Sequence, residues 1–173
     1  MASKSRVTVK PASKTGHVIR DSAFGLAADL LDPVVRLTHV NWAANSVNPG
    51  LIEMLRLRNA RTVNCVICKS TRYEEARRDG MTEEKLAQVA DGYLESNLDR
   101  REKLALEFAD AYLRDPNIAS PELMARLCEE FSRRQIGDMA IALATFNAMS
   151  RCAVSLGGMP DDMPVFTMSV PSA

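Results

Sequence analysis

The segment "RRQIGDMAIALATFNAMSRCAVSLGG", residues 133–158, constrains the fold more than any other part of the chain. Its apolar residues recur with helical period, it carries few charges, and Gly157 and Gly158 supply the usual exit from a helix. A helix this long and apolar needs other elements around it, so it is expected at the centre of a bundle. The other segments share its period. "DSAFGLAADLLDP" reads as a helix capped by Asp21 or Ser22 and limited by Pro33, with a second short helix in "PVVRLTHVNWAAN". After the punctuation of Asn48, Pro49 and Gly50 comes "LIEMLRLRNA", in which Ile52, Leu55 and Ala60 approximate one face. A helix opening at Asn64 and leaving at Gly80 is expected over "NCVICKSTRYEEARRDG". "MTEEKLAQVADG" has Thr82 as a cap, and "DRREKLALEFADAYLRDP" places Leu104, Phe108 and Ala111 on one face and ends at Pro116. "SPELMARLCEEFS" opens with Ser120 as cap and Pro121 in the first position. No segment alternates convincingly with period two. The chain is therefore expected to be all-α.

With 173 residues, 46% of them hydrophobic and 25% charged, the chain can build one core and needs no second domain. Residues 1–20 read as a polar N-terminal arm, 21–158 as a single helical domain, and 159–173 as a Pro-rich tail without helix. That tail is expected either to lie against a partner subunit or to be a mobile end. Lys plus Arg and Asp plus Glu both total 22, which gives no overall bias toward nucleic acid or an anionic membrane. The locally basic stretches "RLRNAR" and "KSTRYEEARR" lack the interleaved aromatics of a single-strand stacking platform. There is no apolar leader at the start and no uninterrupted apolar run of spanning length, so the expected location is cytoplasmic, with neither nucleic-acid nor membrane partners. Cysteines at 65, 68, 128 and 152 then read as thiols of a reducing compartment, the distant two as small buried side chains.

Chemistry concentrates at "NCVICKSTR", residues 64–72. Two cysteines three apart on a helix face the same way, so Cys65 and Cys68 can cycle between dithiol and disulfide. If Asn64 caps the helix, Cys65 lies in its first turn, where free N–H groups favour thiolate, and Lys69, Arg72 and Arg61 add positive charge. Glu53 precedes Cys65 by twelve residues, about 18 Å along a straight helix. The two can cooperate only across a break, which Asn59, Thr62, Val63 and Asn64 permit. A metal site is not expected, because Cys128, Cys152, His17 and His39 are scattered and supply no second pair. His39 and Trp42 would share a helical face and either line a pocket over the dithiol or pack between helices or subunits. Asn147 and Arg151, four apart, would present polar groups to the same cleft.

The stretch "LIEMLRLRNARTVNCVICKSTRYEEARRDGMTEEKLAQV" resembles the carboxymuconolactone decarboxylase superfamily, in its alkylhydroperoxidase D-like branch. That branch carries a Glu, a Cys-x-x-Cys twelve residues later and a His four residues after the second Cys. Here these fall on Glu53, Cys65 and Cys68, and the His position holds Arg72. "KLALEFADAY" and "LATFNAMSR" extend the likeness from about Leu30 onward. The resemblance implies an all-helical alkylhydroperoxidase D-like bundle assembled as a trimer or hexamer, without metal or other cofactor. It implies reduction of hydroperoxides, recharged by a dithiol donor such as a lipoyl-bearing or thioredoxin-like protein. In that scheme Cys68 attacks the peroxide and becomes a sulfenic acid, Cys65 resolves it, and Glu53 takes the proton. Helix position alone would instead make Cys65 the more acidic thiol. A guanidinium cannot relay protons as imidazole does, so Arg72 is expected to stabilise a thiolate, bind an anion or pair with Glu53. As a surface residue it would pair with Glu75. Two other functions fit the resemblance: decarboxylation of a lactone acid, with Arg72 or His39 holding the carboxylate, and a non-catalytic oligomeric protein.

Overall fold

In the computed structural model, which describes residues 21, 23–115, 117, 120–156 and 161–170, the centre of the helical bundle is α2 (Pro49–Val63). Every side chain from Leu51 to Leu57 is buried, as are Asn59 and Ala60. Asn48 is extended and Pro49 takes the first helical position, where its missing N–H costs nothing. Asp79 Oδ2 accepts from the Gly50 N–H at 2.9 Å and from the Asn48 amide at 2.6 Å, which fixes the start of the helix. The long helix α8 (Arg133–Leu156) lies against α2 and also touches α1 (Ala28–Ala43) and α6 (Arg100–Arg114). It buries Met139, Ala142, Leu143, Phe146 and Ser150 but leaves Ile141 55% exposed. Thus α8 is a flank of the bundle, and the expectation that it forms the centre is corrected. By length and a mean hydropathy of 1.3 it is apolar enough to cross a bilayer, and here it packs as a core helix along one side.

Several elements form where their caps dictate. Asp99 and Glu102 make a reciprocal capping box at the start of α6, whose inner face carries Leu104, Ala105, Phe108 and Ala111. Ser120 caps α7 (Pro121–Glu130), and Thr82 caps α5 (Glu83–Ala87). A 3-10 turn, Ala23–Ala27, leads into α1, and another, Tyr93–Glu95, precedes α6. The expected cap at Ser22, the expected stops at Pro116, Gly157 and Gly158, and the arm 1–20, lie outside the described residues.

Three expectations change. Pro33 lies inside α1 rather than ending it, so one helix replaces two. The N–H it lacks would have bonded the carbonyl of Asp29, in the exposed first turn, where water can take over. Residues 64–80 are not one helix but α3 (Val66–Ser70), β1 (Thr71–Tyr73) and α4 (Glu74–Arg78). The tail is non-helical, yet Phe166–Met168 forms β2, a parallel partner of β1 in the register Thr71 to Phe166, Arg72 to Thr167 and Tyr73 to Met168. Ser70 Oγ donates to the Met163 carbonyl at 2.9 Å and Val170 N to Glu75 Oε1 at 3.2 Å. Residues 161–170 are therefore tied to their own chain. Two strands of three residues leave the class all-α. Cys128 and Cys152, expected to be buried, are both exposed thiols.

Candidate active site

The site begins with a single left-handed residue. Asn64 has φ 57° and ψ 40°, a conformation that asparagine tolerates better than most, and its N–H donates to the Ala60 and Arg61 carbonyls. It terminates α2 instead of capping the next helix, and so supplies the break that cooperation between Glu53 and the cysteines required. Cys65 follows in extended conformation as the N-cap of α3, and its Sγ accepts from the Cys68 N–H at 3.3 Å. Cys65 and Cys68 are joined as a disulfide with Cα atoms 5.2 Å apart. Cys65 is fully buried at 0% exposure, whereas Cys68 is half-buried and opens onto a cavity of about 90 Å³.

The cavity walls are mostly apolar, with Val35, Ile67, Phe146, Met149 and Met168 around Cys68. Polar groups enter from His39, Arg56, Tyr73 and Ser150. Arg56 went unnoticed in the sequence. Its Nε and Nη2 clasp Glu53 at 2.7 and 2.8 Å, while Nη1 donates to the Cys68 carbonyl and Nη2 to the Thr71 carbonyl, both at 2.6 Å. One guanidinium thereby joins the buried carboxylate of α2 to the backbone of the cysteine turn. Burial works against the Arg56 charge, but the attraction and hydrogen bonds of Glu53 outweigh it and hold its pKa above the ordinary arginine value. The Arg56 guanidinium also sits 5.4 Å over the Tyr73 ring, whose phenol burial pushes up and keeps neutral.

Arg72 stands elsewhere. Its Nε and Nη2 pair with Glu83 at 2.9 Å, and Nη1 donates to the carbonyls of Lys69 and Thr71 at 2.7 and 2.9 Å. The expected pairing with Glu53 or Glu75 is replaced by Glu83, because β1 turns the side chain toward α5. Arg72 borders a separate cleft with Leu57, Arg61 and Lys69. Trp42 is buried in the core, stacked 4.4 Å from the Tyr73 ring, and does not line the cavity. Asn147 and Arg151 do not line it either, but they reach the sulfur indirectly. Arg151 Nε donates to Asn147 Oδ1 at 2.8 Å, Asn147 Nδ2 to Asn59 Oδ1 at 2.8 Å, Asn59 Nδ2 to Ser150 Oγ at 3.0 Å, and Ser150 Oγ to Cys68 Sγ at 3.3 Å. Ser150 was not marked in the sequence, and Asn59 was marked only as a poor helix residue that permits a break. Four-residue spacing from Phe146 through Ser150 along α8 gave only the signal of a buried face. Among the described residues no three His, Cys, Asp or Glu side chains cluster as metal ligands.

Two solved structures resemble this arrangement of elements. A protein of unknown function from Agrobacterium tumefaciens, a candidate antioxidant defence protein AhpD, matches with a TM-score of 0.69 and 19% identity over 84% of this chain and 97% of that one. An uncharacterized peroxidase-related protein from Silicibacter matches with a TM-score of 0.68 and 20% identity over 83% of this chain and 75% of that one. The fold is alkylhydroperoxidase D-like. No family model matches the chain. In sequence, two uncharacterized proteins from strains of Mycobacterium tuberculosis are 30% identical over 112 residues, 65% of this chain, and the chain spans 39% of their length. Within this alkylhydroperoxidase D-like fold, the cysteine pair occupies the turn after the central helix, and the C-terminal strand supplies Met168 to the cavity wall.

Proposed function

We propose that the protein is a thiol-dependent peroxidase or disulfide oxidoreductase of the alkylhydroperoxidase D-like branch of the carboxymuconolactone decarboxylase superfamily. The observation that carries this reading is a Cys65–Cys68 disulfide whose second sulfur faces an apolar cavity while the first is buried. A pair already closed as a disulfide favours redox chemistry over decarboxylation, which has no use for it.

In the reduced protein, the Cys68 thiolate attacks the terminal oxygen of a hydroperoxide. The S–O bond forms as the O–O bond breaks, and the departing alkoxide takes the hydroperoxide's own proton to leave as alcohol. Cys65 then attacks the oxidised sulfur. Its S–S bond to Cys68 forms, the sulfenate oxygen leaves with the Cys65 proton as hydroxide, and an external dithiol restores both thiols by exchange. Access selects Cys68 for the first step, and the Cys68 N–H on Cys65 Sγ supports charge on the resolving Cys65 sulfur as it attacks. Both Glu53 oxygens are engaged by Arg56, so Glu53 acts by holding that guanidinium, and with it the Cys68 carbonyl, in place. Arg72 orders the segment after the cysteines and takes no part in proton transfer.

The reading includes a homo-oligomer, a trimer or hexamer, in a reducing cytoplasm, with a lipoyl-bearing or thioredoxin-like protein as electron donor. Support for a second copy comes from α1, where Leu30 is 71%, Val34 37% and Leu37 47% exposed at helical spacing. To test the function, reduced protein is mixed with cumene hydroperoxide and its free thiols are counted before and after addition of dihydrolipoamide. Loss of two thiols that depends on Cys65 and Cys68, followed by recovery, supports the reading. No loss, or a loss unchanged in the Cys65→Ser, Cys68→Ser double variant, overturns it.

A further inference from the structure

Ser150 is 2% exposed and Asn59 is fully buried, so the hydrogen bond between them forms away from water, and the part-buried contact from Ser150 to Cys68 lies at the cavity wall. The chain has a fixed direction. Arginine only donates, so Asn147 must turn its carbonyl oxygen to Arg151 and its amide N–H groups to Asn59. Asn59 accepts with its oxygen and must then donate to Ser150, which leaves the single Ser150 hydroxyl proton for Cys68 Sγ. Every link points toward the sulfur. A disulfide sulfur is a weak acceptor and a thiolate is a charged, strong one, so the same contact strengthens once the disulfide opens.

We propose that Ser150, oriented by Asn59, Asn147 and Arg151, is the hydrogen-bond donor that stabilises the Cys68 thiolate. The inference rests on the peroxidase reading for its purpose, but the interaction itself does not depend on peroxide turnover. Ser150 touches the reacting sulfur, and the other three are positioning residues. The hydroxyl keeps its proton throughout, so no acid or base is consumed. The arrangement supplies from α8 a donor at a site where Arg72 offers no imidazole. Other titratable groups facing Cys68 are Arg56 from α2, His39 from α1, Tyr73 from β1 and its partner Cys65 from the preceding turn. These are common to native protein and variants, so they drop out of a comparison.

The test is the pH profile of Cys68 alkylation by iodoacetamide in the fully reduced chain, with the modified cysteine located by fragmentation mass spectrometry. The midpoint is compared among native protein, Ser150→Ala, Ser150→Thr and Arg151→Met, the last at 1 M salt, where charge effects beyond about 3 Å are screened. Circular dichroism confirms the fold of each, and exposed Arg151 provides a change that leaves the core intact. The proposal predicts a midpoint raised by about one to two pH units in Ser150→Ala, a smaller rise in Arg151→Met, and a native value in Ser150→Thr. An unchanged midpoint in Ser150→Ala, or an equal rise in Ser150→Thr, overturns it. If these shifts occur in a protein that consumes no hydroperoxide, the peroxidase reading fails and the donor chain stands.

Discussion

Glu53 and Arg56 meet in the interior at 0% and 5% exposure; the guanidinium holds both carboxylate oxygens of Glu53 and spends its remaining N–H groups on the Cys68 and Thr71 carbonyls. Removing one partner leaves a charge stranded, so Glu53→Ala is expected to cost about 3–5 kcal/mol in urea unfolding, and to loosen the cysteine turn that Arg56 holds. Arg72 is the opposite case. Its partner Glu83 is half-exposed and its remaining contacts are backbone carbonyls, so Arg72→Met should leave the Cys68 alkylation midpoint where it is. A shift of one unit or more would return Arg72 to the thiolate. At this scale the cysteine pair was legible from its spacing, and Glu53 from the resemblance of the surrounding stretch to the alkylhydroperoxidase D-like branch. Arg56 was not, since polar residues at 53, 56 and 59 look like the solvent face of a helix. Here that stripe is buried because α2 is surrounded and the site itself takes the place of solvent.

Asn64 decides how the elements join. Left-handed backbone costs a residue with a Cβ roughly 1–2 kcal/mol, which asparagine softens and glycine escapes. Asn64→Ala should therefore lower unfolding stability by about that amount, while Asn64→Gly should retain it. Loss of stability in both would assign the effect to the Lys69 contact with Asn64 Oδ1 at 2.7 Å instead. A second joint is Asp138 on α8, which accepts from Ser46 N and Oγ at 2.9 and 2.6 Å and from Arg134 at 2.8 Å. Burial would raise its carboxyl, but the Ser46 hydrogen bonds and the Arg134 charge prevail and hold its pKa below the ordinary aspartate value. A depressed folded pKa means stability that is complete above the unfolded value of about 4 and lost as pH falls through the folded one. Native protein should lose stability more steeply than Asp138→Asn between about pH 5 and pH 2, as read by thermal unfolding. The amphipathic helices were plain in the sequence, α6 through the shared face of Leu104, Phe108 and Ala111 and α7 through its Ser120 cap and Pro121. The strand β1 was hidden because three residues carry no usable period, and its partner lies some ninety residues further along the chain.

For the whole molecule, the all-α fold follows from period and caps, and the likeness to AhpD-like structures is a property of the bundle as a whole. Among the described residues, the apolar stripe of α1 is one surface that the single chain leaves uncovered. If the proposed homo-oligomer is built on this stripe, Leu30→Glu with Leu37→Glu should reduce the sedimenting mass to that of one chain, and an unchanged multimeric mass would contradict that placement. The central claim is that Cys68 is the sulfur that meets the peroxide, and trapping its oxidised form addresses it most directly. Reduced Cys65→Ser protein, which cannot form the disulfide, is treated with one equivalent of cumene hydroperoxide in the presence of dimedone, and the labelled cysteine is identified by mass spectrometry. The account predicts a single adduct on Cys68, and an adduct confined to the exposed Cys128 or Cys152, or none at all, would contradict it.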